Sequence, residues 1–256
     1  MSEMGRSHFV DKFIKIKEKR GMKISKFLRK KSSVLMLSGG IDSVAGLKYL
    51  LVETDKSLYV HHIHLKNNEG IQYPRYKKEA EAVRKIVPYM KKTFRNFNYT
   101  ESTIDVRQIV GLLPDYYEEE DFSLANYFVI DRSFWSLIAG TMSKITNSNE
   151  IYIGSCLEDF TDVIYNDYEI SIEDQIKFIS NPTLSAASYP HETPISHPVP
   201  CNPELTKRQS IEYIGKKLMN MVWYCRQPIE KNGEFIVCHE CKSCKHVDNA
   251  LSEKIN

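Results

Sequence analysis

Ser38-Gly39-Gly40-Ile41-Asp42-Ser43 is the most informative motif in the sequence. It follows a short apolar run, Val34–Leu37, and precedes a segment in which apolar residues recur at helical spacing: Val44, Leu47, Leu50 and Leu51. This order predicts a buried strand, a glycine-rich turn and a helix. Two adjacent glycines let backbone N–H groups approach a ligand, and the helix adds its N-terminal N–H groups and the positive end of its dipole. The turn is therefore predicted to bind a phosphate or pyrophosphate group.

The side chains of this turn favour the same interpretation. Ser38 and Ser43 bring hydroxyl donors, and Asp42 is suited to hold the Mg²⁺ that accompanies a nucleotide. No Gly-Lys-Ser/Thr follows at the spacing of a Walker A loop. The alternative is a strand-to-helix turn that uses glycine and serine only for its geometry. The full stretch resembles the signature of the PP-loop ATP pyrophosphatases, which split ATP into AMP and pyrophosphate while they activate a substrate oxygen.

Composition limits the class of protein. The chain has 256 residues, which suits one domain with elaborations, and no apolar run approaches the roughly 20 residues that span a bilayer. The basic N-terminus lacks the apolar core of a signal peptide. A cytoplasmic protein without a membrane segment is expected. Six cysteines in such a protein favour metal binding or chemistry over disulfides.

The charge is unevenly distributed along the chain. Residues 1–31 carry eleven Lys/Arg against three Asp/Glu, whereas the formal net charge of the whole chain is only +2. We interpret residues 1–31 as a basic helical extension, residues 32–220 as the ATP pyrophosphatase domain, and residues 221–256 as a cysteine-rich segment. The extension is either a solvated helical face or a contact for nucleic acid or protein. A homodimer is also expected.

Strands and helices are predicted to alternate along the middle of the chain. Residues 58–65 alternate as a strand, with His62 and His64 on one face and His61 on the other. Helical spacing follows over residues 76–90 and again over residues 134–145, and residues 151–154 read as another buried strand. This alternation predicts an α/β fold with a parallel sheet covered by helices on both faces. Ligands bind beyond the carboxyl ends of such strands.

Four cysteines near the end of the sequence have the spacing of a metal site. They are Cys225, Cys238, Cys241 and Cys244, which close with two Cys-x-x-Cys steps. Such steps suit tetrahedral Zn²⁺, and a complete set of four thiolates leaves no open position, so a structural zinc is predicted. His239 and His246 are rival ligands at a less natural spacing. Free thiols or a redox pair are the alternatives.

Together these motifs resemble the 7-cyano-7-deazaguanine synthases, a family within the PP-loop group. The resemblance covers roughly residues 32–246. Its elements are the turn at residues 38–43, Gly154 followed by Asp159-Phe160, the helix start Leu205-Thr206-Lys207, the stretch Val129-Ile130-Asp131-Arg132-Ser133, and Trp223-Tyr224-Cys225 with the remaining cysteines.

The resemblance implies an adenine-nucleotide α-hydrolase-like fold, a zinc held by the cysteines, and ATP-dependent conversion of 7-carboxy-7-deazaguanine to the nitrile with ammonia. It also implies that Arg132 and Lys207 neutralise phosphate or adenylate charge, and that Asp159 faces the substrate or the metal. Asp42, Arg132, Lys207 and Asp159 are thus the expected catalytic residues. Phe160 is expected to stack on a planar ring, and His64 to lie near the substrate.

The sequence departs from the family's pattern around the expected substrate pocket. Ile63-His64-Leu65-Lys66-Asn67 stands where the family has Asp-Tyr-Gly-Gln, and Ser133 stands where it has Asn. Two alternatives therefore stay open. One is an adenylating enzyme that couples an activated base or carboxylate to another amine, a nucleic acid or a protein. The other is a non-catalytic nucleotide-binding module.

Overall fold

The computed structural model describes residues 32–66, 75–105, 135, 137–154, 156, 195–196 and 206–252. The predictions for the basic extension (residues 1–31) and for Arg132, Asp159 and Phe160 lie outside the described residues. Those for the glycine-rich turn, His64, Lys207 and the four cysteines lie within them.

The strands form one parallel sheet and one small antiparallel hairpin. The parallel strands are β1 (Ser32–Met36), β2 (Ser57–Lys66), β3 (Asn98–Asp105), β4 (Glu150–Tyr152) and β5 (Ile195–Ser196), in the spatial order β3-β2-β1-β4-β5. The hairpin pairs β6 (Ile229–Lys231) with β7 (Glu234–Ile236). The strand order reverses direction between β1 and β4, which is where open α/β sheets bind their ligands.

Five helices connect and cover the strands in the described part of the chain. They are α1 (Ile41–Val52), α2 (Arg75–Thr93), α3 (residues 137–146), α4 (Lys207–Met219) and α5 (Lys242–Ser252). Thr206 precedes α4 as its N-cap and forms a capping box, in which its hydroxyl accepts the Gln209 N–H. Gly215 interrupts the same helix with a φ of 78°. Among the described residues, no helix combines the length and the apolar character needed to span a bilayer.

Alternation along β1 divides the core between the two faces of the sheet. Leu35 and Leu37 pack into one cluster with residues of α1, α2, α4 and α5, whereas Val34 and Met36 pack into a second cluster that includes Ala139 of α3. These four residues, three in β1 and Leu37 just after it, are fully buried. Helices therefore cover both faces, and the predicted fold class is confirmed.

Candidate functional site

The glycine-rich turn joins β1 to α1 at the carboxyl edge of the sheet. Ser43 holds its shape, because the Ser43 hydroxyl donates to the Gly40 carbonyl at 3.1 Å and accepts the Ser38 N–H at 3.2 Å. The two serine hydroxyls lie 3.0 Å apart, and the Ser38 hydroxyl accepts the Gly40 N–H at 3.2 Å. Gly40 is the N-cap of α1 and has no side-chain cap. The first N–H groups of α1 thus open onto the turn, as an anion site requires.

Glycine is required at two positions around this turn. Gly39 has a φ of +83°, and an added Cβ would lie 3.0 Å from the Glu79 carbonyl oxygen of α2. Gly154 follows β4, and an added Cβ there would lie 2.5 Å from the carbonyl carbon of Asp42 and 2.6 Å from the Ser43 nitrogen. The chain after β4 therefore packs directly against the first turn of α1.

Gly154→Ala is expected to weaken ATP binding about tenfold, because overpacking against backbone atoms displaces the first turn of α1 at a cost of about 1–3 kcal/mol. Calorimetric titration with a non-cleavable ATP analogue measures this effect. Gly233→Ala is the control: an added Cβ there meets nothing within 4 Å, and the backbone strain from its φ of +79° falls in the β6–β7 turn, away from the residues that line the cavity. Equal ATP affinity in the two variants would contradict the role of Gly154.

Asp42 and Lys207 meet at the same edge although they are 165 residues apart. The Lys207 ammonium donates to a carboxylate oxygen of Asp42, and the lysine side chain is almost fully buried. The capping box of α4 fixes Lys207, because this residue is the first of the helix. The structure thus brings together two of the four predicted catalytic residues, Asp42 and Lys207.

A cavity of about 140 Å³ lies above the turn. Its walls come from the turn and α1, from α2, from Gly154 in the chain after β4, from the start of α4, and from the chain around the cysteines. The lining residues are Ser38, Gly40, Ile41, Asp42, Ser43, Arg75, Glu79, Gly154, Lys207, Trp223, Tyr224, Arg226, Ser243, His246 and Val247. Among the described residues, three cationic side chains and two carboxylates line the cavity. The charge balance therefore favours an anion.

The four predicted cysteine ligands converge on one point beside this cavity. Their sulfur atoms all lie within 4.8 Å of one another. The Cys225 and Cys238 sulfurs are 3.5 Å apart, and the Cys238 and Cys244 sulfurs are 3.8 Å apart. Backbone N–H groups point at the sulfurs, for example that of Cys241 at 3.2 Å from the Cys238 sulfur. The two rival ligands lie elsewhere, since His239 contacts Asp248 and His246 lines the cavity.

This donor set fits a metal ion. A hydrogen bond from Cys225, together with N–H donors from Arg226 and Cys244, lowers the pKa of the Cys241 thiol to about 3, so a thiolate is present at neutral pH. Burial raises the pKa of Cys244. Four cysteine sulfurs gathered this closely are the donor set that binds metal ions as thiolates in proteins. Cys225, Cys238, Cys241 and Cys244 therefore fit a metal site.

A model of the family described as "Queuosine biosynthesis protein QueC" matches residues 32–255. The chain belongs to the QueC family. The match spans the turn, the sheet and the four cysteines, and it confirms the resemblance found in the sequence. QueC proteins are PP-loop enzymes that use ATP and Mg²⁺, and the chain is an ATP-utilising enzyme of this type.

Several solved structures are similar to this QueC family member. The U34-tRNA thiolase NcsA from Methanococcus maripaludis, with its [4Fe-4S] cluster, is 17% identical with a TM-score of 0.48; the match covers 94% of this chain and 72% of that chain. The NH3-dependent NAD synthetase from Campylobacter jejuni is 16% identical with a TM-score of 0.36; the match covers 67% of this chain and 72% of that chain. The NAD+ synthetase from Burkholderia pseudomallei is 13% identical with a TM-score of 0.35; the match covers 83% of this chain and 64% of that chain. No curated protein sequence matches the chain.

Sequence reasoning missed part of the cavity of this QueC protein. Arg75 and Glu79 of α2 line it as an ion pair with a nitrogen–oxygen distance of 2.7 Å, and they belong to no recognisable motif. Arg226, Ser243 and His246 line it beside the cysteine ligands. The position of these three next to Cys225 and Cys244 is visible in the sequence, but their proximity to the turn depends on the fold.

The histidines of β2 are mostly buried. His61 contacts the hydroxyls of Thr100 and Ser102 at 2.8 and 2.9 Å, and the His62 Nδ1–H donates to the Leu37 carbonyl at 2.7 Å. His64 shares a face with His62, as alternation predicted, and its hydrogen bond with Glu101 lowers the pKa of that carboxyl group. The described cavity lining does not include His64. Its contact with the substrate stays a prediction.

The stability of this QueC protein is expected to fall as pH falls from about 6.5 to about 4. Burial lowers the pKa of both His61 and His62 from 6.5 to about 4, so both are neutral in the folded chain while the unfolded chain takes up protons near pH 6.5. Because only the unfolded state binds these protons between about pH 6.5 and pH 4, a fall in pH across that range favours unfolding. Denaturant unfolding at pH 7, 6 and 5 measures the decline. His62→Gln should show a shallower decline than the unaltered protein, and an identical one would contradict this origin.

Proposed function

We propose that the protein activates the carboxylate of a 7-deazaguanine with ATP and converts it with ammonia to 7-cyano-7-deazaguanine, releasing AMP and pyrophosphate. The observation that carries the proposal is the Asp42–Lys207 pair at the glycine-rich turn, in a cavity that residues next to Cys225 and Cys244 help to line. Membership of the QueC family supports the choice of substrate.

The chemistry of the carboxylate requires activation. A carboxylate oxygen attacks the α-phosphorus of ATP, the bond from that phosphorus to the bridging oxygen breaks, and pyrophosphate leaves. Ammonia then attacks the carboxyl carbon and AMP leaves, which gives the amide. Because the nitrile retains neither carboxylate oxygen, the amide oxygen must leave after a second activation of the same kind. In each activation, the serine hydroxyls and N–H groups of the turn stabilise charge on the departing pyrophosphate.

The described side chains have separate roles in this scheme. Lys207 neutralises charge on the phosphates and orients Asp42, which would hold Mg²⁺. When bound, Mg²⁺ would neutralise negative charge on the leaving pyrophosphate. Arg132, Asp159 and Phe160 are proposed for the adenylate and the planar ring on the strength of the family resemblance, and His64 for the substrate edge.

We assign the metal of the four-cysteine site as one Zn²⁺ with a structural role. A tetrahedron of sulfurs around zinc, at Zn–S distances of about 2.3 Å, has edges of about 3.8 Å. The sulfur separations of 3.5 and 3.8 Å support this fit to a single ion. Bound zinc supplies a cross-link between the chain before the β6–β7 hairpin and α5.

The test combines the purified protein with ATP, Mg²⁺ and 7-carboxy-7-deazaguanine, with and without ammonia. AMP formation is expected to depend on the acid, and the mass of the product should fall to that of the amide and then the nitrile only when ammonia is present. AMP formation that responds to a nucleic acid, a protein or another amine, and not to the acid, would favour the coupling alternative. Absence of AMP with every acceptor, despite ATP binding, would favour the non-catalytic module.

A further inference from the structure

One wall of the cavity consists of residues that flank the metal ligands. Trp223, Tyr224 and Arg226 surround the ligand Cys225 in the sequence, and all three line the cavity. Ser243, His246 and Val247 surround the ligand Cys244 on α5, and they line it as well. Ligand residues and cavity residues thus alternate along the same two pieces of chain. The metal site and the wall of the cavity cannot form independently.

Trp223 connects this wall directly to the glycine-rich turn. Its backbone N–H donates to the Gly39 carbonyl at 3.0 Å, and its indole N–H donates to the Cys225 carbonyl at 2.8 Å. The Lys78 ammonium lies 5.7 Å from the centre of the indole ring, within cation–π range. One residue therefore bonds to the turn on one side and to a metal ligand on the other. The position of the turn depends on the cysteine segment.

Arg226 belongs both to the metal-binding segment and to the wall of the cavity. It directly follows the ligand Cys225 in the sequence, which ties its backbone to the metal site. Its side chain is partly exposed and lines the cavity. The described lining carries three positive charges, of Arg75, Lys207 and Arg226, against the two carboxylates. Arg226 therefore brings positive charge to the cavity that the serine hydroxyls of the turn also line.

We propose that Arg226 binds the polyphosphate of ATP, and that the four-cysteine segment delivers it, so that the metal completes the nucleotide site. The proposal rests on ATP as the nucleotide of the proposed function. A guanidinium group donates two parallel hydrogen bonds to phosphate oxygens, and the partly buried setting strengthens them. The turn holds the polyphosphate from one side and Arg226 holds it from the other. This role assigns function to a segment that otherwise only stabilises the fold.

The test measures nucleotide affinity and metal content in the same metal-loaded protein. Arg226→Gln is titrated with an ATP analogue whose α,β-bridging oxygen is a methylene group, with Mg²⁺ present, and then with AMP. We expect about a tenfold or greater loss of affinity for the analogue, as for one charge-assisted hydrogen bond, and a loss of less than about threefold for AMP. Metal content should be unchanged. Arg226→Lys should recover part of the lost affinity.

Lys245→Gln is the matched control, because Lys245 follows the ligand Cys244, carries the same charge, is exposed, and is not among the lining residues. It should bind the analogue as the unaltered protein does. Full affinity in Arg226→Gln would overturn the proposal while leaving the proposed function intact. Equal losses for AMP and the analogue would overturn the assignment to the polyphosphate. Absence of binding by the unaltered protein would overturn this proposal and the proposed use of ATP together.

Discussion

Asp42→Asn is expected to lower ATP-dependent AMP formation about a hundredfold or more, the usual effect of removing one charged group arranged around a transition state. The amide preserves the shape of the side chain and still accepts a hydrogen bond from Lys207. What it removes is the negative charge that would hold Mg²⁺ and orient the buried ammonium. The measurement is the initial rate of AMP release at saturating ATP and substrate.

Ser43→Ala should lower the same rate, because the Ser43 hydroxyl bonds to both Ser38 and Gly40 and thereby holds the turn. Asp55→Asn is the control, since Asp55 is an exposed aspartate in the loop after α1 and lies away from the cavity. Thermal unfolding of each variant separates lost chemistry from lost folding. Normal AMP release by folded Asp42→Asn and Ser43→Ala would leave the turn with a purely structural role.

Removal of the metal is expected to lower the free energy of unfolding by roughly 4 kcal/mol or more, because the binding energy of a structural metal is also folding energy. Chelation of the unaltered protein and the variant Cys244→Ser should have the same effect. Cys244 is fully buried and lies in the first turn of α5, so its loss frees that helix from the hairpin as well. Denaturant unfolding with and without chelator gives the magnitude.

Metal analysis of the purified protein should find about one zinc per chain, and much less in Cys244→Ser. Cys156→Ala serves as the control: it removes a buried cysteine outside the four-sulfur cluster and should keep its metal. Several iron atoms per chain in place of zinc would show that the site holds an iron cluster and contradict the assignment of zinc. A metal-free preparation of undiminished stability would contradict the structural role.

Much of the fold follows from local patterns in the sequence. The apolar run before the glycine pair, the helical spacing after it and the alternation in β2 predict the central strands and helices, because each pattern reports which face is buried. The capping box at Thr206 predicts the start of α4 through a contact between residues three apart. The cysteine spacing predicts the ligand set, since the metal imposes its own geometry.

The walls of the cavity were harder to predict. Arg75 and Glu79 belong to a helix whose periodicity identifies only its apolar face. Arg226 and His246 reach the turn because the cysteine segment packs against Gly39, and such long-range contacts leave no periodic signal in a single sequence. His61 and His62 stand beside the predicted substrate residue His64 in the sequence, yet both are buried and bonded to neighbouring strand and turn residues. Buried polar residues with partners look the same in a sequence as polar residues facing a ligand.

The contact between Trp223 and Gly39 has a consequence for biosynthesis. The ribosome releases β1, the turn and α1 early, but α4, Trp223 and α5 emerge only after most of the chain has been made. Until then the nascent chain exposes an apolar surface on α1, where Leu47 and Leu50 later join one core cluster with Ile214, Leu218 and Val247. Such incompletely covered intermediates are prone to aggregate and are typical clients of chaperones. A chain that stalls before residue 207 should therefore be a substrate for quality control, and productive folding should await the emergence of the last cysteine.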